Sequence, residues 1–156
     1  MVRIIFIIIF SLYSYSIFAN AVGEYTGLPI PRFVSLKSND SNLRIGSSTN
    51  YPIILKYNIA NLPLEIIDEY GDWRKTNDIE NNQGWIHKSL LKGNRFAIIN
   101  PPYEESIQIF NKPKGKVIGR IGKRNIVKIE KCLINWCFIA VSYTHLRAHE
   151  TGRNVV

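Results

Sequence analysis

Short apolar runs separated by turn residues dominate the middle of the chain. Between residues 32 and 87 apolar positions alternate with polar ones or form brief Ile-rich runs, and no long stretch has helical spacing. Apart from Tyr70, the clusters at 39–40, 46–49 and 70–72 consist of Gly, Asn, Asp, Ser and Thr, most of which favour turns. The pattern predicts six strands, at 32–38, 42–45, 52–57, 62–69, 73–75 and 84–87. Strands this short and closely spaced predict a small all-β barrel, in which closure removes exposed sheet edges.

The alternation also predicts which side chains are buried, since successive residues of a strand face opposite sides of a sheet. His87 follows Ile86 and lies two residues after Trp85. It therefore shares a face with Trp85, and we expect a solvent-facing or rim histidine rather than a general base. The predicted core consists of five aliphatic side chains, Ile45, Leu55, Leu64, Ile66 and Ile86.

The chain contains a second, similar set of strands. Sliding the sequence along itself by 64 positions places Leu43 on Ile107, and sliding it by 63 positions places Trp73 on Trp136. Self-similarity at a fixed period indicates two structural units of one kind. The predicted divisions are an extended lead-in at 22–31, a first unit at 32–91 and a second unit at 92–140.

The first 21 residues have the features of a secretory signal peptide. Arg3 supplies a positive start, residues 4–18 are apolar apart from Ser and Tyr, and Ala19 and Ala21 are the small residues that signal peptidase reads. The alternative is a membrane anchor, but a span needs about 20 uninterrupted apolar residues, and this run is shorter. We expect cleavage after Ala21, no stable membrane span thereafter, and a periplasmic or secreted protein in an oxidising compartment.

Residues 141–156 are expected to be foreign to the fold. Their first eleven residues resemble the translation of a transposase-type sequencing adapter that was read through into the open reading frame. His145 and His149 are four residues apart, a spacing that on a helix suits two metal ligands. Because the adapter interpretation makes this spacing accidental, we predict no metal site.

Three segments of the first unit resemble a known family. NLRIGSS at 42–48, GDWRK at 71–75 and GWIH at 84–87 are similar to bacterial SH3 (SH3b-like) domains, with Ser47 where the family usually has proline. The second unit is similar through Trp136 but lacks the closing glycine–tryptophan strand, so we expect a truncated barrel with unpaired backbone groups. The resemblance implies an all-β fold of two tandem SH3-like barrels, the second incomplete.

The resemblance also implies a non-catalytic module that binds peptidoglycan or an associated peptide in the cell envelope. Exposed rings at Tyr51, Tyr70 and Trp73 are the candidate ligand-binding residues, because aromatic faces stack on sugars and pack against peptide side chains. Residues 22–140 hold one His and two Cys, a poor inventory for catalysis. We therefore expect no enzymatic activity and no cofactor.

The two cysteines flank a predicted turn. Cys132 and Cys137 would face each other across two antiparallel strands, close enough for a disulfide if the register is right. An oxidising compartment favours the bond, and two buried free thiols are the alternative.

The net charge of the chain does little to narrow the class of binding partner. Without its two ends the chain carries +6, which suits anionic envelope polymers and lipid head groups. Nucleic acid is the other usual partner of a basic domain, but an exported protein seldom meets it, and we expect none. Two other interpretations stay open: an adaptor that binds a periplasmic protein, for instance by strand addition, and the targeting fragment of a cell-wall hydrolase.

Overall fold

The computed structural model describes residues 21–140 and, for the backbone alone, residues 147–151. These residues form two β-sheets and a small hairpin, which confirms the predicted all-β class. The described part of the chain contains one short 3-10 helix, Lys88–Leu90, and no helix there is long and apolar enough to cross a membrane. Apart from Ala21, the predicted signal peptide lies outside the described residues.

The lead-in is folded back on itself. β1 (Ala21–Val22) and β2 (Pro29–Ile30) pair as a two-stranded antiparallel hairpin. Gly27 has a φ of 65° in the connecting loop, a conformation that Gly adopts without steric cost. The expectation of a simple extended lead-in is therefore wrong, because a glycine turn reverses the chain and the loop is anchored on the first sheet.

Seven strands form the first sheet. They are β3 (Arg32–Leu36), β4 (Ser41–Arg44), β5 (Ile53–Tyr57), β6 (Pro63–Tyr70), β7 (Trp73–Asn77), β8 (Gln83–His87) and β9 (Leu91–Lys92). All pairings are antiparallel, in the order β5-β4-β8-β7-β6-β3-β9. The six predicted strands are all present.

The first sheet surrounds one core without closing into a barrel. Leu64, Ile66 and Ile86 are buried as predicted, and Leu55 packs against this core while partly exposed. Tyr57 of one edge strand and Leu91 of the other belong to the same cluster, yet β5 and β9 are not hydrogen-bonded to each other. The expected closure is wrong because side-chain packing, rather than a backbone ladder, joins the two edges.

Ile45 is the one predicted core residue that the structure places outside. Its side chain is 62% exposed, whereas Leu43 is fully buried. Period-two alternation would put both on one face, but β4 ends at Arg44 and its register against β5 shifts between Leu43 and Arg44. The irregularity turns Ile45 toward solvent.

The second sheet repeats the strand order of the first. Its strands are β10 (Phe96–Ile98), β11 (Ser106–Phe110), β12 (Val117–Gly122), β13 (Ile126–Leu133), β14 (Trp136–Ala140) and β15 (Arg147–Thr151). The order β10-β13-β14-β15-β11-β12 is that of β3, β6, β7, β8, β4 and β5 in the first sheet. A separate core cluster, including Ile99, Val127 and Ile139, lies within it.

The backbone of β15 takes the place expected to be vacant. It pairs with β14 and β11, as β8 pairs with β7 and β4 in the first sheet. The second sheet is thus not missing its closing strand in this structure. The physical reason is that an open sheet edge pairs through backbone groups, so a segment without the glycine–tryptophan pattern can fill it. His145 lies outside the described residues, and only the backbone of His149 is described.

Candidate functional site

Two of the three predicted aromatic residues meet at one end of the first sheet. Tyr70 and Trp73 are register partners at the β6–β7 turn. The Tyr70 ring is 59% exposed and contacts Tyr25 of the lead-in edge-on at 5.9 Å between centroids. Trp73 makes a similar edge contact with His87 at 5.4 Å. Four rings therefore line this end of the sheet.

The group extends along the solvent-facing side of β7 and β8. Trp85 and His87 lie on the same face and are partly exposed, while Ile86 between them is fully buried. The register places Trp85 opposite Lys75 of β7 and Arg44 of β4. Trp85 was not among the candidate residues, although its alternation with Ile86 was the signal that could have identified it.

We call this surface the aromatic face. It consists of four rings flanked by two cations: Tyr70, Trp73, Trp85, His87, Lys75 and Arg44. Rings of this kind offer apolar surface to a sugar or a peptide, and the cations offer hydrogen-bond donors and positive charge. The arrangement suits an uncharged or anionic ligand lying across two strands.

Tyr51 lies away from Tyr70 and Trp73, at the Arg44 edge of the aromatic face. It precedes β5 at the other end of β4, where its ring is so close to Gly46 that a Cβ on that glycine would lie 2.5 Å from the ring. The Arg44 guanidinium donates to the Tyr51 carbonyl at 2.7 Å. The structure therefore separates Tyr51 from Tyr70 and Trp73, and the three do not form one binding surface.

A Ser–His–Asp contact borders the aromatic face. The Nδ1 atom of His87 lies 2.7 Å from the Ser89 hydroxyl oxygen, and its Nε2 lies 3.9 Å from an Asp72 carboxylate oxygen. The same Nδ1 also accepts the Ser89 backbone N–H and caps the 3-10 helix. Asp72 is held by Lys88 at 2.8 Å, and the hydrogen bond from Lys88 lowers the pKa of the Asp72 carboxyl. These contacts fix the end of β8. Asp72, His87 and Ser89 line neither of the two clefts between the sheets.

Beneath the face, Glu69 forms a buried ion cluster. Its carboxylate, with no exposed surface, pairs with Arg32 and with Arg74, whose Nε is 3.4 Å away. Thr26 of the lead-in loop donates its backbone N–H and its hydroxyl to the same carboxylate, at 3.1 and 2.8 Å. Burial opposes ionisation, but the hydrogen bonds of Arg32 and Thr26 and the charges of Arg32 and Arg74 outweigh it, so the pKa of Glu69 lies below its usual value. The cluster anchors the lead-in on the sheet.

The second sheet has a disulfide at the matching position. Cys132 and Cys137 are register partners joined by a disulfide bond, and they lie 63 positions after Glu69 and Arg74, which are register partners too. The β6–β7 and β13–β14 hairpins also share a register shift at matching positions. One unit thus links this pair of strands by charge and the other by a covalent bond.

Two clefts separate the sheets on either side of the loop at 78–82. Their volumes are about 550 and 470 Å³, and apolar side chains such as Ile79 line both. Asp78 shapes the loop by accepting the Tyr57 hydroxyl at 2.9 Å and the Asn82 backbone N–H at 2.8 Å. Burial and this carboxylate raise the pKa of Tyr57. The Asp78 carboxylate thus accepts hydrogen bonds from Tyr57, Glu80 and Asn82.

The described residues hold no group of three or more His, Cys, Asp or Glu side chains that could bind a metal ion. The strand pattern and the glycine–tryptophan strand at β8 point to one family. Residues 37–93 match the family model of the bacterial SH3 domain. A comparison of the chain with curated proteins found no match. The matched segment spans β4 to β9 and includes the aromatic face and Tyr51, whereas the kinship of the second unit stays a prediction based on the repeat and the shared strand order.

Proposed function

We propose that this protein is an exported, non-catalytic module whose bacterial SH3 domain binds a component of the cell envelope, namely peptidoglycan or a peptide attached to it. The observation that carries the proposal is the aromatic face, where Trp73, Trp85 and Tyr70 lie on the same side of the sheet. Bacterial SH3 domains often bind cell-wall components, and the flanking Lys75 and Arg44 provide donors for carbonyl and carboxylate groups of such a ligand.

The chemistry of the neighbouring groups supports a binding role over a catalytic one. His87 is engaged as a helix cap, Glu69 is neutralised by two arginines, and the two cysteines are bonded to each other. An enzyme of this size needs a base or nucleophile that converges on a pocket. The residues of the aromatic face instead lie on an open surface, which suits an extended polymer.

Sedimentation with purified, protein-free sacculi tests the proposal. We expect the chain to sediment at moderate salt, and Trp85→Ala and Trp73→Ala each to weaken binding about tenfold or more, as central aromatic contacts do. Tyr103→Ala is the matched control, because this residue is 97% exposed and lies between β10 and β11 of the second sheet. Equal binding by all variants, or no binding to sacculi, would refute the proposal.

A second candidate function is an adaptor for another envelope protein. The observation that favours it is the unpaired edge of β5, where Ile53 and Ile54 are 40% and 49% exposed. Such an edge can accept a strand from a partner. Retention on immobilised envelope proteins that Ile54→Pro abolishes, together with no binding to sacculi, would favour this alternative.

A further inference from the structure

The net positive charge of the chain comes mostly from residues 92–140. Residues 22–91 contain seven Lys and Arg against eight Asp and Glu, whereas residues 92–140 contain ten against three. The first unit is therefore nearly neutral, and the second has a net charge of +7. A general bias toward lysine would have charged both units, so the asymmetry has a local origin.

Three of these cations stand at one turn. Lys112, Lys114 and Lys116 lie in the connection between β11 and β12, where all three are exposed and none belongs to an ion pair of the described residues. The Gly115 N–H donates to the Lys112 carbonyl at 2.9 Å. The Asn111 side chain accepts the Lys116 N–H at 3.0 Å. These bonds fix the turn and hold three charges at its tip.

Lys114 has a backbone conformation that lysine rarely adopts. Its φ is 57°, and it follows Pro113 at the third position of a β-turn closed by Gly115. That position usually carries Gly or Asn, because a positive φ crowds a Cβ. The chain thus holds a charged residue at the tip against the local preference of the backbone.

Exposed apolar side chains adjoin the lysines. Val117 and Ile118 begin β12 and are 42% and 38% exposed, and β12 is an edge strand of its sheet. Basic residues beside exposed aliphatic ones are typical of segments that bind membrane surfaces, where the cations meet anionic head groups and the apolar side chains enter the interfacial layer. A soluble polyanion would need only the cations.

The first unit provides an internal contrast. Its β4–β5 hairpin presents Ile53 and Ile54, which match Val117 and Ile118 at an offset of 64 and are similarly exposed. The connection at 45–52, however, contains no Lys or Arg. The two hairpins therefore share their apolar pair and differ in the charged tip.

We propose that the β11–β12 hairpin binds the surface of an anionic lipid bilayer. Lys112, Lys114 and Lys116 contact the phosphates of the head groups, and Val117 and Ile118 enter the interfacial layer. This site lies on the second sheet and is independent of the aromatic face, so the chain would link a wall component to a membrane surface.

Cosedimentation of the full chain with phosphatidylcholine vesicles, with and without phosphatidylglycerol, tests the proposal. Any contribution of the apolar residues 4–18 to vesicle binding is common to every variant, so it cancels in the ratio of two variants' affinities. Lys114→Gly removes one charge and also relieves the positive φ. We expect it to weaken binding to phosphatidylglycerol vesicles about fivefold, the effect of one basic residue at an anionic surface, while the melting temperature stays equal or rises.

Arg124→Gly is the matched control. Arg124 is exposed, has a φ of 66° and follows the opposite end of β12. Arg124→Gly therefore removes one positive charge and one positive-φ side chain, as Lys114→Gly does, but outside the β11–β12 turn. We expect this variant to bind as the unsubstituted chain does. Equal losses from Arg124→Gly and Lys114→Gly would overturn the proposal, because binding would then follow net charge alone.

A pair of double variants tests the apolar contribution. We expect Val117→Ser with Ile118→Ser to weaken vesicle binding, and Ile53→Ser with Ile54→Ser on the first unit to leave it unchanged. If the Val117 and Ile118 changes had no effect and soluble polyphosphate competed fully with the vesicles, the ligand would be a soluble polyanion and the lipid proposal would be wrong.

Discussion

Replacing Glu69 by Gln tests whether the buried ion cluster holds the first unit together. Glu69→Gln keeps the shape of the side chain and removes its charge, which leaves Arg32 and Arg74 without their anionic partner. The Glu69, Arg74 and Arg32 side chains are 0%, 7% and 18% exposed, so water compensates the two cations poorly. Breaking a buried charge network in this way costs about 3–5 kcal/mol.

Urea unfolding followed by tryptophan fluorescence measures this loss. Trp73 and Trp85 report on the first unit and Trp136 on the second, so a Trp136→Phe background isolates the first transition. With a typical urea dependence of about 1–3 kcal/mol per molar, Glu69→Gln should lower the midpoint by at least about 1 M. A loss below about 1 kcal/mol, the level of exposed pairs, would refute the reasoning.

Low pH should abolish the difference in unfolding free energy between the unsubstituted protein and Glu69→Gln. The pKa of Glu69 is lower in the folded state than in the unfolded chain, so its contribution to stability is complete above the ordinary glutamate pKa of about 4.3. That contribution is lost as the pH falls through the folded-state pKa. Unfolding curves of the unsubstituted protein and Glu69→Gln should therefore converge at low pH, and a difference that persists there would contradict the assignment.

Reduction of the disulfide is the reciprocal perturbation. Cys132 and Cys137 are five positions apart, and closure of so short a loop stabilises by about 2 kcal/mol in the chain-entropy account. Reductant should lower the transition reported by Trp136 and spare the first unit, whereas Glu69→Gln should do the opposite. Equal shifts of both transitions by either change would show that the two sheets unfold as one.

Two other changes have clear expected outcomes. Gly84→Ala would place a Cβ 2.7 Å from the Arg44 carbonyl oxygen, so thermal unfolding should show a loss of about 1–3 kcal/mol, while Gly93→Ala, with nothing within 4 Å, should be nearly neutral. Tyr57→Phe removes a hydrogen bond of 2.9 Å to Asp78 and should cost about 1–3 kcal/mol without changing sacculus binding. A neutral Gly84→Ala, or a Tyr57→Phe that loses binding at full stability, would contradict these assignments.

The strands of the first unit were predictable because their signals are local. Period-two alternation and turn residues located all six, and they placed Leu64 and Ile86 in the core. Alternation failed at Ile45, where the register against β5 shifts, because a register irregularity is not visible in the pattern of one strand. Local patterns could not predict whether the sheet closes either, because closure depends on how the two edge strands are placed relative to each other.

The candidate site was only partly predictable. Sequence could mark Tyr70 and Trp73 as surface candidates, of which Tyr70 is exposed and Trp73 is half-buried. The separation of Tyr51 follows from which strands are neighbours in the sheet. Trp85 was assigned to neither surface nor core, although its spacing from the buried Ile86 contained the information. The correspondence between the Glu69–Arg74 pair and the Cys132–Cys137 pair becomes visible only from the register of both hairpins, because the two pairs have no residue type in common.

The most direct test of the account is a titration of the ¹⁵N-labelled protein with solubilised peptidoglycan fragments, followed through the indole N–H signals of its three tryptophans. If the aromatic face binds the envelope component, the signals of Trp73 and Trp85 will shift together and saturate, and that of Trp136 will stay in place. A shift of Trp136 alone, or no shift of any indole signal at saturating ligand, would contradict the proposed function.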